Sequence, residues 1–102
     1  MFSLQNKKAV VTGGGSGIGK AISVLFAKQG AEVHIVELTQ ESAQSAVEEI
    51  KLSGGKVFSH ACNVANQQEV STTFETIGAI DILVNNAGIA HVGKVETTPE
   101  AD

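Results

Sequence analysis

Four short apolar runs alternate with three segments of helical period along this chain, and that alternation constrains the fold more than any other feature. The runs are "KKAVVT" (Lys7–Thr12), "EVHIVE" (Glu32–Glu37), a third within "KVFSHACNV" (residues 56–64) and "IDILVNNAG" (Ile80–Gly88). The last is nearly continuous in apolar residues, as suits a strand covered on both faces. Between the first two runs, Ile18, Ala21, Ile22, Leu25 and Phe26 fall on one face of a helix that opens near Gly17 and closes at Gly30. A second helix follows Thr39 as its cap, carries Ala43, Val47 and Ile50 in line, and stops at Gly54-Gly55. Asn66 and Glu69 have the spacing of a capping box for a third helix, with Val70, Phe74 and Ile77 inward and Gly78 as its stop. Strand–helix–strand units of this kind build a parallel sheet.

Composition narrows the class. The 102 residues are 42% hydrophobic and 18% charged, enough apolar surface for a packed core. A net charge of −4, and the absence of both Tyr and Trp, argue against a nucleic-acid groove. Lys7, Lys8 and Lys20 lie near one another in sequence but form no basic run, so neither nucleic acid nor membrane is expected as a partner. The N-terminus has no signal-peptide or spanning pattern, and the single Cys62 can form no internal disulfide and reads as a small apolar core residue. The expectation is a cytoplasmic α/β protein.

The stretch "VVTGGGSGIGKA" (residues 10–21) carries the chemistry, and it can be parsed in two ways. From Gly14 it is G-x-x-x-x-G-K, one residue short of a loop for nucleoside triphosphates; such a loop needs a Ser or Thr after its Lys to hold Mg²⁺, and Ala21 stands there. From Thr12 it is T-G-x-x-x-G-x-G, a turn suited to a dinucleotide. Gly13 permits the tight exit from the strand, Gly17 lets backbone approach a diphosphate, and Gly19 permits close packing of the helix. The diphosphate would sit against unpaired N–H groups at the positive end of the helix dipole. Eighteen residues past Gly19, Glu37 ends the second strand, where a carboxylate can accept from ribose hydroxyls. The same carboxylate repels a 2′-phosphate, and the places where a cation could welcome one hold Ser16 and Leu38, so NAD is expected over NADP.

With "TGGGSGIG", "CNV" and "NNAG" in this order, the chain resembles the N-terminal part of a short-chain dehydrogenase/reductase, from about Phe2 to its last residue. The resemblance implies a Rossmann-type doubly wound parallel sheet, here its first four strands in order 3-2-1-4 with three helices; in that order right-handed crossovers place the first two helices on one face and the third on the other. It implies that Gly13, Ser16, Gly17, Ile18 and Gly19 line the diphosphate and Glu37 holds the ribose. Asn63 and Val64, where the family often has Asp-Val, would border the adenine; the Asn63 amide oxygen can still accept from the adenine amino group. Asn86, Ala87 and Gly88 would stand beside the cofactor's ribose, with Asn85 tying the fourth strand to its neighbours. The segment between Val64 and Gly78 is about one helical turn shorter than is usual in the family, which predicts a shorter third helix with its apolar face in register.

Members of that family transfer hydride with a Tyr-x-x-x-Lys pair assisted by Ser, and this chain contains no Tyr. No catalytic residue is therefore assigned, and no metal site. "TTPEAD" reads as a helix start, with Thr98 as cap and Pro99 in the first turn, so residues 1–102 are expected to be an NAD-binding half domain of a longer enzyme. That enzyme would be an NAD-dependent oxidoreductase acting on a small alcohol or ketone, and by resemblance a homo-oligomer. A non-catalytic NAD- or adenosine-binding module complete at 102 residues is the alternative. His34 and His60 alternate with apolar strand residues and read as structural; His91 follows "NNAG" on the substrate side and reads as structural before it reads as a substrate contact.

Overall fold

A computed structural model describes residues 3–86, in the order β1 (Lys8–Thr12), α1 (Gly17–Lys28), β2 (Glu32–Glu37), α2 (Gln40–Leu52), β3 (Lys56–Ala61), α3 (Gln67–Ile77) and β4 (Ile82–Asn85). The four strands form one parallel sheet in the order β3-β2-β1-β4. Val11 pairs with Ile35 on one side and Val84 on the other, and Ile35 pairs in turn with Ser59. The expected strand order is the observed one. Ala87, Gly88, His91 and the Thr98-Pro99 helix start lie outside the described residues.

Alternation along the strands sorts the core into two layers. Ala9, Val11, Val33, Ile35 and Val57 face α1 and α2, packing against Ala27, Ala43, Ala46 and Ile50. Val10, Val36 and Cys62 face the other way and meet Ile77, with Val70, Phe74 and Ile80 packed beside them. The sheet is thus covered as anticipated, two helices on one face and one on the other.

The face that α1 buries differs from the expected stripe. Ile18 is 74% exposed and Leu25 54% exposed, whereas Gly19, Ser23 and Ala27 are the buried residues. Ile22, Val24 and Phe26 are half-buried and flank that row. Small residues four apart let the helix backbone settle close onto the sheet, and the large apolar side chains straddle the contact instead of entering it. Periodicity alone weighs Ile and Leu above Gly and Ser and so rotates the predicted face.

Both anticipated caps are present. Thr39 Oγ1 accepts from the Ser42 N–H (3.1 Å), and Asn66 Oδ1 accepts from the Glu69 N–H (3.0 Å). The capping box at α3 is only half closed, because the Asn66 N–H already donates to the Asn63 carbonyl (2.9 Å). Glu69 reaches past it and accepts from the Asn63 N–H at 2.8 Å. At 11 residues α3 is the shortest of the three helices. Among the described residues β4 pairs with β1 and ends the sheet, and its residues alternate between half-buried and exposed.

Candidate functional site

The carboxyl ends of β1, β2 and β3 open onto a cleft of about 200 Å³ lined by Gly13, Val36, Glu37, Leu38, Cys62, Asn63 and Val64. In an open parallel sheet, ligands sit beyond the carboxyl ends of the strands, where strand order reverses. Here the reversal lies between β1 and β4, and the glycine loop leaves β1 at that point. Four of the residues singled out in the sequence, Gly13, Glu37, Asn63 and Val64, therefore meet around one space.

The loop's shape depends on its glycines for two different reasons. Gly13 (φ 67°) and Gly17 (φ 56°) occupy the left-handed region that other residues avoid. A Cβ at Gly17 would meet nothing within 4 Å, so the space in front of the loop is open. Gly19 is needed for contact instead: a Cβ there would lie 2.0 Å from the Gly13 carbonyl oxygen and 2.6 Å from Asn86 Nδ2. Ser16 is the N-cap of α1, yet its side chain makes no cap hydrogen bond. The first turn of α1 thus keeps N–H groups directed at the open space in front of the loop, where a phosphate can accept from them.

Glu37 is held in place. Its Oε2 accepts from the Gly15 N–H at 2.8 Å, so the carboxylate at the end of β2 is tied to the glycine loop across the cleft mouth. On the opposite wall, Asn63 Oδ1 accepts from the Ala65 N–H (3.0 Å), a local turn that leaves the amide oxygen a second lone pair. At β4, Thr12 Oγ1 donates to Asn85 Oδ1 (3.0 Å), and Asn86 Nδ2 donates to the Gly13 carbonyl (3.1 Å). Asn85 ties β4 to β1 as anticipated; Asn86 links the strand end directly to the glycine loop.

Three residues that shape this site carried no signal in the sequence. Ser23, fully buried in α1, places its hydroxyl 2.9 Å from the Gly19 carbonyl and 3.2 Å from the Gly14 carbonyl. Gly15 and Ser42 bring the loop and the first turn of α2 into contact. Lys20 is turned away from the loop: its Nζ donates to Ser45 Oγ (2.8 Å) and pairs with Glu49 (3.2 Å) on α2. A triphosphate loop needs that lysine on its phosphates, and here it is a strut between two helices.

His34 and His60 lie apart from the cleft, on the α3 side of β2 and β3. With Glu32 ionised and acceptor only, His34 Nε2–H donates to Glu32 Oε2 (2.7 Å), leaving His34 Nδ1 to accept from His60 Nε2–H (2.8 Å). His34 also stacks on Phe58 with ring centroids 5.0 Å apart. The hydrogen bond from His34 holds Glu32 below the usual carboxylate value against the opposing effect of burial, and electrostatic interaction with His34, Lys8 and Lys56 adds to the lowering. Burial pushes His60 below the usual imidazole value, and His34 beside it adds to the shift. Among the described residues no cluster of three or more His, Cys, Asp or Glu could hold a metal ion.

Comparison with known proteins agrees with this geometry. Residues 7–102 match the model of the short chain dehydrogenase family. An uncharacterized oxidoreductase of Thermotoga maritima is 45% identical, over 99% of this chain and 41% of the relative. A 7alpha-hydroxysteroid dehydrogenase of Escherichia coli K12 is 40% identical, over 83% of this chain and 35% of its own. The chain thus spans about two fifths or less of these relatives' length. Among solved structures, the 7 alpha-hydroxysteroid dehydrogenase complexed with NADH and 7-oxo glycochenodeoxycholic acid superposes with a TM-score of 0.74 at 38% identity, covering 81% of this chain and 34% of that one. A putative D-mannonate oxidoreductase from Haemophilus influenza with bound NAD gives a TM-score of 0.75 at 28% identity, covering 80% and 31%. Glycine loop, strand order and matched sequence lead to one conclusion: this chain belongs to the short-chain dehydrogenase family.

Proposed function

We propose that this chain is the NAD-binding half of an oxidoreductase that moves hydride between NAD(H) and a small alcohol or ketone. The observation that carries the reading is Glu37, a carboxylate fixed by the Gly15 N–H at the mouth of a cleft that also contains Asn63 and Val64. The residues present fit the cofactor. The uncapped first turn of α1, with Ser16, Gly17 and Ile18 around open space and Gly13 and Gly19 shaping the turn, offers N–H donors to a diphosphate. Glu37 accepts from the ribose hydroxyls of the adenosine, and Asn63 and Val64 border its adenine. Asn86, Ala87 and Gly88 match positions beside the cofactor's ribose in the family.

When bound, NAD supplies the hydride acceptor or donor. What these residues would contribute is binding and orientation, holding the adenosine half of the cofactor. The charge on Glu37, with no cation at Ser16 or Leu38, disfavours the 2′-phosphate of NADP. The acid/base partner for the substrate oxygen is a tyrosine in the family this chain resembles, and the chain contains none. By itself it is therefore expected to bind NAD without turning over an alcohol. We place the protein in the cytoplasm and as a homo-oligomer by the same resemblance; among the described residues no helix is long and apolar enough to cross a membrane.

Calorimetric titration with NAD, NADP and ATP with and without Mg²⁺ tests this reading. Saturable binding of NAD, with NADP at least about tenfold weaker, is the expected result; tenfold corresponds to 1.4 kcal/mol. Mg²⁺-dependent ATP binding with no NAD binding would overturn it.

A further inference from the structure

We propose that Gly15 is a positioning residue for cofactor discrimination: its N–H holds the Glu37 carboxylate, and its bare Cα lets α2 close against that carboxylate. The inference rests on the NAD reading and adds to it a residue that the T-G-x-x-x-G-x-G pattern leaves free.

Gly15 is not glycine for the sake of its backbone angles. Among the described residues the glycines with left-handed φ are Gly13, Gly17, Gly30, Gly54 and Gly78, and Gly15 is not among them. Contact is what excludes a side chain. A Cβ at Gly15 would lie 2.1 Å from the Ser42 carbonyl oxygen, 2.8 Å from the Ser42 carbonyl carbon and 2.8 Å from Glu37 Oε2. Two of those three atoms are backbone, in the first turn of α2, and cannot rotate away. That turn is itself anchored, since Thr39 Oγ1 accepts from the Ser42 N–H and lies 2.9 Å from Ser42 Oγ, while Lys20 binds Ser45 and Glu49 one and two turns on. The loop, Glu37 and α2 therefore move together or not at all.

This arrangement acts on selectivity in two ways. With Oε2 saturated by Gly15, the carboxylate is ordered before any ligand arrives, and Oε1, which accepts no hydrogen bond among the described residues, is the oxygen available to a ribose hydroxyl. Preorganisation of this kind strengthens binding without a new contact. In addition, the Gly15 N–H is a donor that a 2′-phosphate in the cleft would compete for, and Glu37 already occupies it. Rejection of NADP then combines repulsion with loss of a phosphate donor.

Three variants separate position from charge. Glu37→Asp keeps the charge but is shorter by one C–C bond, about 1.5 Å, and cannot reach the Gly15 N–H. Glu37→Gln keeps the reach and removes the charge. Gly15→Ala keeps Glu37 and displaces it. Calorimetry with NAD and NADP is read beside proton–nitrogen NMR spectra of the ligand-free chain. The Gly15 amide resonance of the parent protein should move in Glu37→Asp, where its hydrogen bond is lost. NAD binding should weaken about tenfold in Gly15→Ala and Glu37→Asp, with NADP still rejected by Glu37→Asp and gaining affinity in Glu37→Gln. If Gly15→Ala does not fold, Glu37→Asp and the NMR spectra decide the matter. A parent protein that binds NAD, with a Gly15 amide resonance unmoved in Glu37→Asp or with Glu37→Asp binding NAD as tightly as the parent, overturns the role of Gly15 and leaves the NAD reading intact. A folded parent that binds neither cofactor overturns both.

Discussion

Adding one methyl group at either of two glycines, Gly17 and Gly19, should damage different properties of this protein. At Gly19 the methyl carbon would sit 2.0 Å from the Gly13 carbonyl oxygen, 2.8 Å from its carbonyl carbon and 2.6 Å from Asn86 Nδ2. To restore ordinary contact, α1 and the loop must part by more than about 1 Å, and the Asn86–Gly13 hydrogen bond is lost with the movement. Overpacking of this severity costs about 3 kcal/mol, the upper end of the usual range, because the obstacle is backbone. At Gly17 the methyl meets nothing within 4 Å, and the cost is that of holding alanine at φ 56°, about 1 kcal/mol. For a domain of this size that is a fall in Tm of about 4–8 °C. The Gly17 methyl, however, projects into the space where a diphosphate would approach the helix, so NAD affinity should drop about tenfold or more. Urea unfolding followed by circular dichroism gives the stability of each variant, and calorimetry gives the affinity. Gly19→Ala as stable as Gly17→Ala, or Gly17→Ala binding NAD within about twofold of the parent protein, would refute the reasoning.

Three further outcomes are expected. Lys20→Ala should leave NAD affinity within about twofold, and Mg²⁺ should have no effect on it, because Lys20 is engaged with α2 and its partly exposed pair with Glu49 is worth under about 1 kcal/mol; a large loss of affinity by calorimetry would restore the lysine to the ligand site. Asn66→Ala should destabilise by about 1 kcal/mol through loss of the α3 cap, read as a lower urea midpoint with NAD affinity unchanged. His60 and Glu32 both have depressed values in the folded protein, so each contributes stability that is present above its unfolded value and lost as pH falls through its folded value. The urea midpoint should therefore decline first below about pH 6.5, where imidazoles in unfolded chains titrate, and again below the ordinary glutamate value of 4.5. His60→Gln, whose amide can still donate to His34, should flatten the first limb; an unchanged profile in that variant would remove His60 from the account.

Much of this architecture was legible because it depends on local chemistry. The caps at Thr39 and Asn66, the glycine stops and the apolar strand runs each require only a few neighbouring residues; alternation with helices implies a parallel sheet, while its order 3-2-1-4 is implied by the family resemblance. The buried face of α1 was not legible, since small residues at a close helix–sheet approach carry little hydrophobic weight. Nor was the His34–His60 contact, which depends on a register that sets Val36 beside His60 and His34 beside Phe58. The reach of Glu69 to Asn63 depended on a turn that first consumed the Asn66 N–H.

Within the candidate site the division is sharper, because "TGGGSGIG" contains five glycines that look alike in sequence. Gly13 and Gly17 answer to backbone angle; the motif marks the turn at Gly13 and the close approach at Gly19, whereas at Gly17 it suggests access for a diphosphate and not a left-handed φ. Gly14, Gly15 and Gly19 answer to approach, and what approaches comes from elsewhere in the chain: Ser23 and Val11 at Gly14, Ser42 and Glu37 at Gly15, Asn86 and the loop's own Gly13 carbonyl at Gly19. The obstacles also differ in kind. At Gly14 the nearest atom is the Ser23 hydroxyl, 2.7 Å away, with Val11 at 3.0 Å, whereas at Gly15 it is a backbone carbonyl at 2.1 Å. A side-chain hydroxyl can rotate and an anchored helix turn cannot. A methyl at residue 14 therefore asks for local repacking, while one at residue 15 asks α2 to move away from the Glu37 carboxylate.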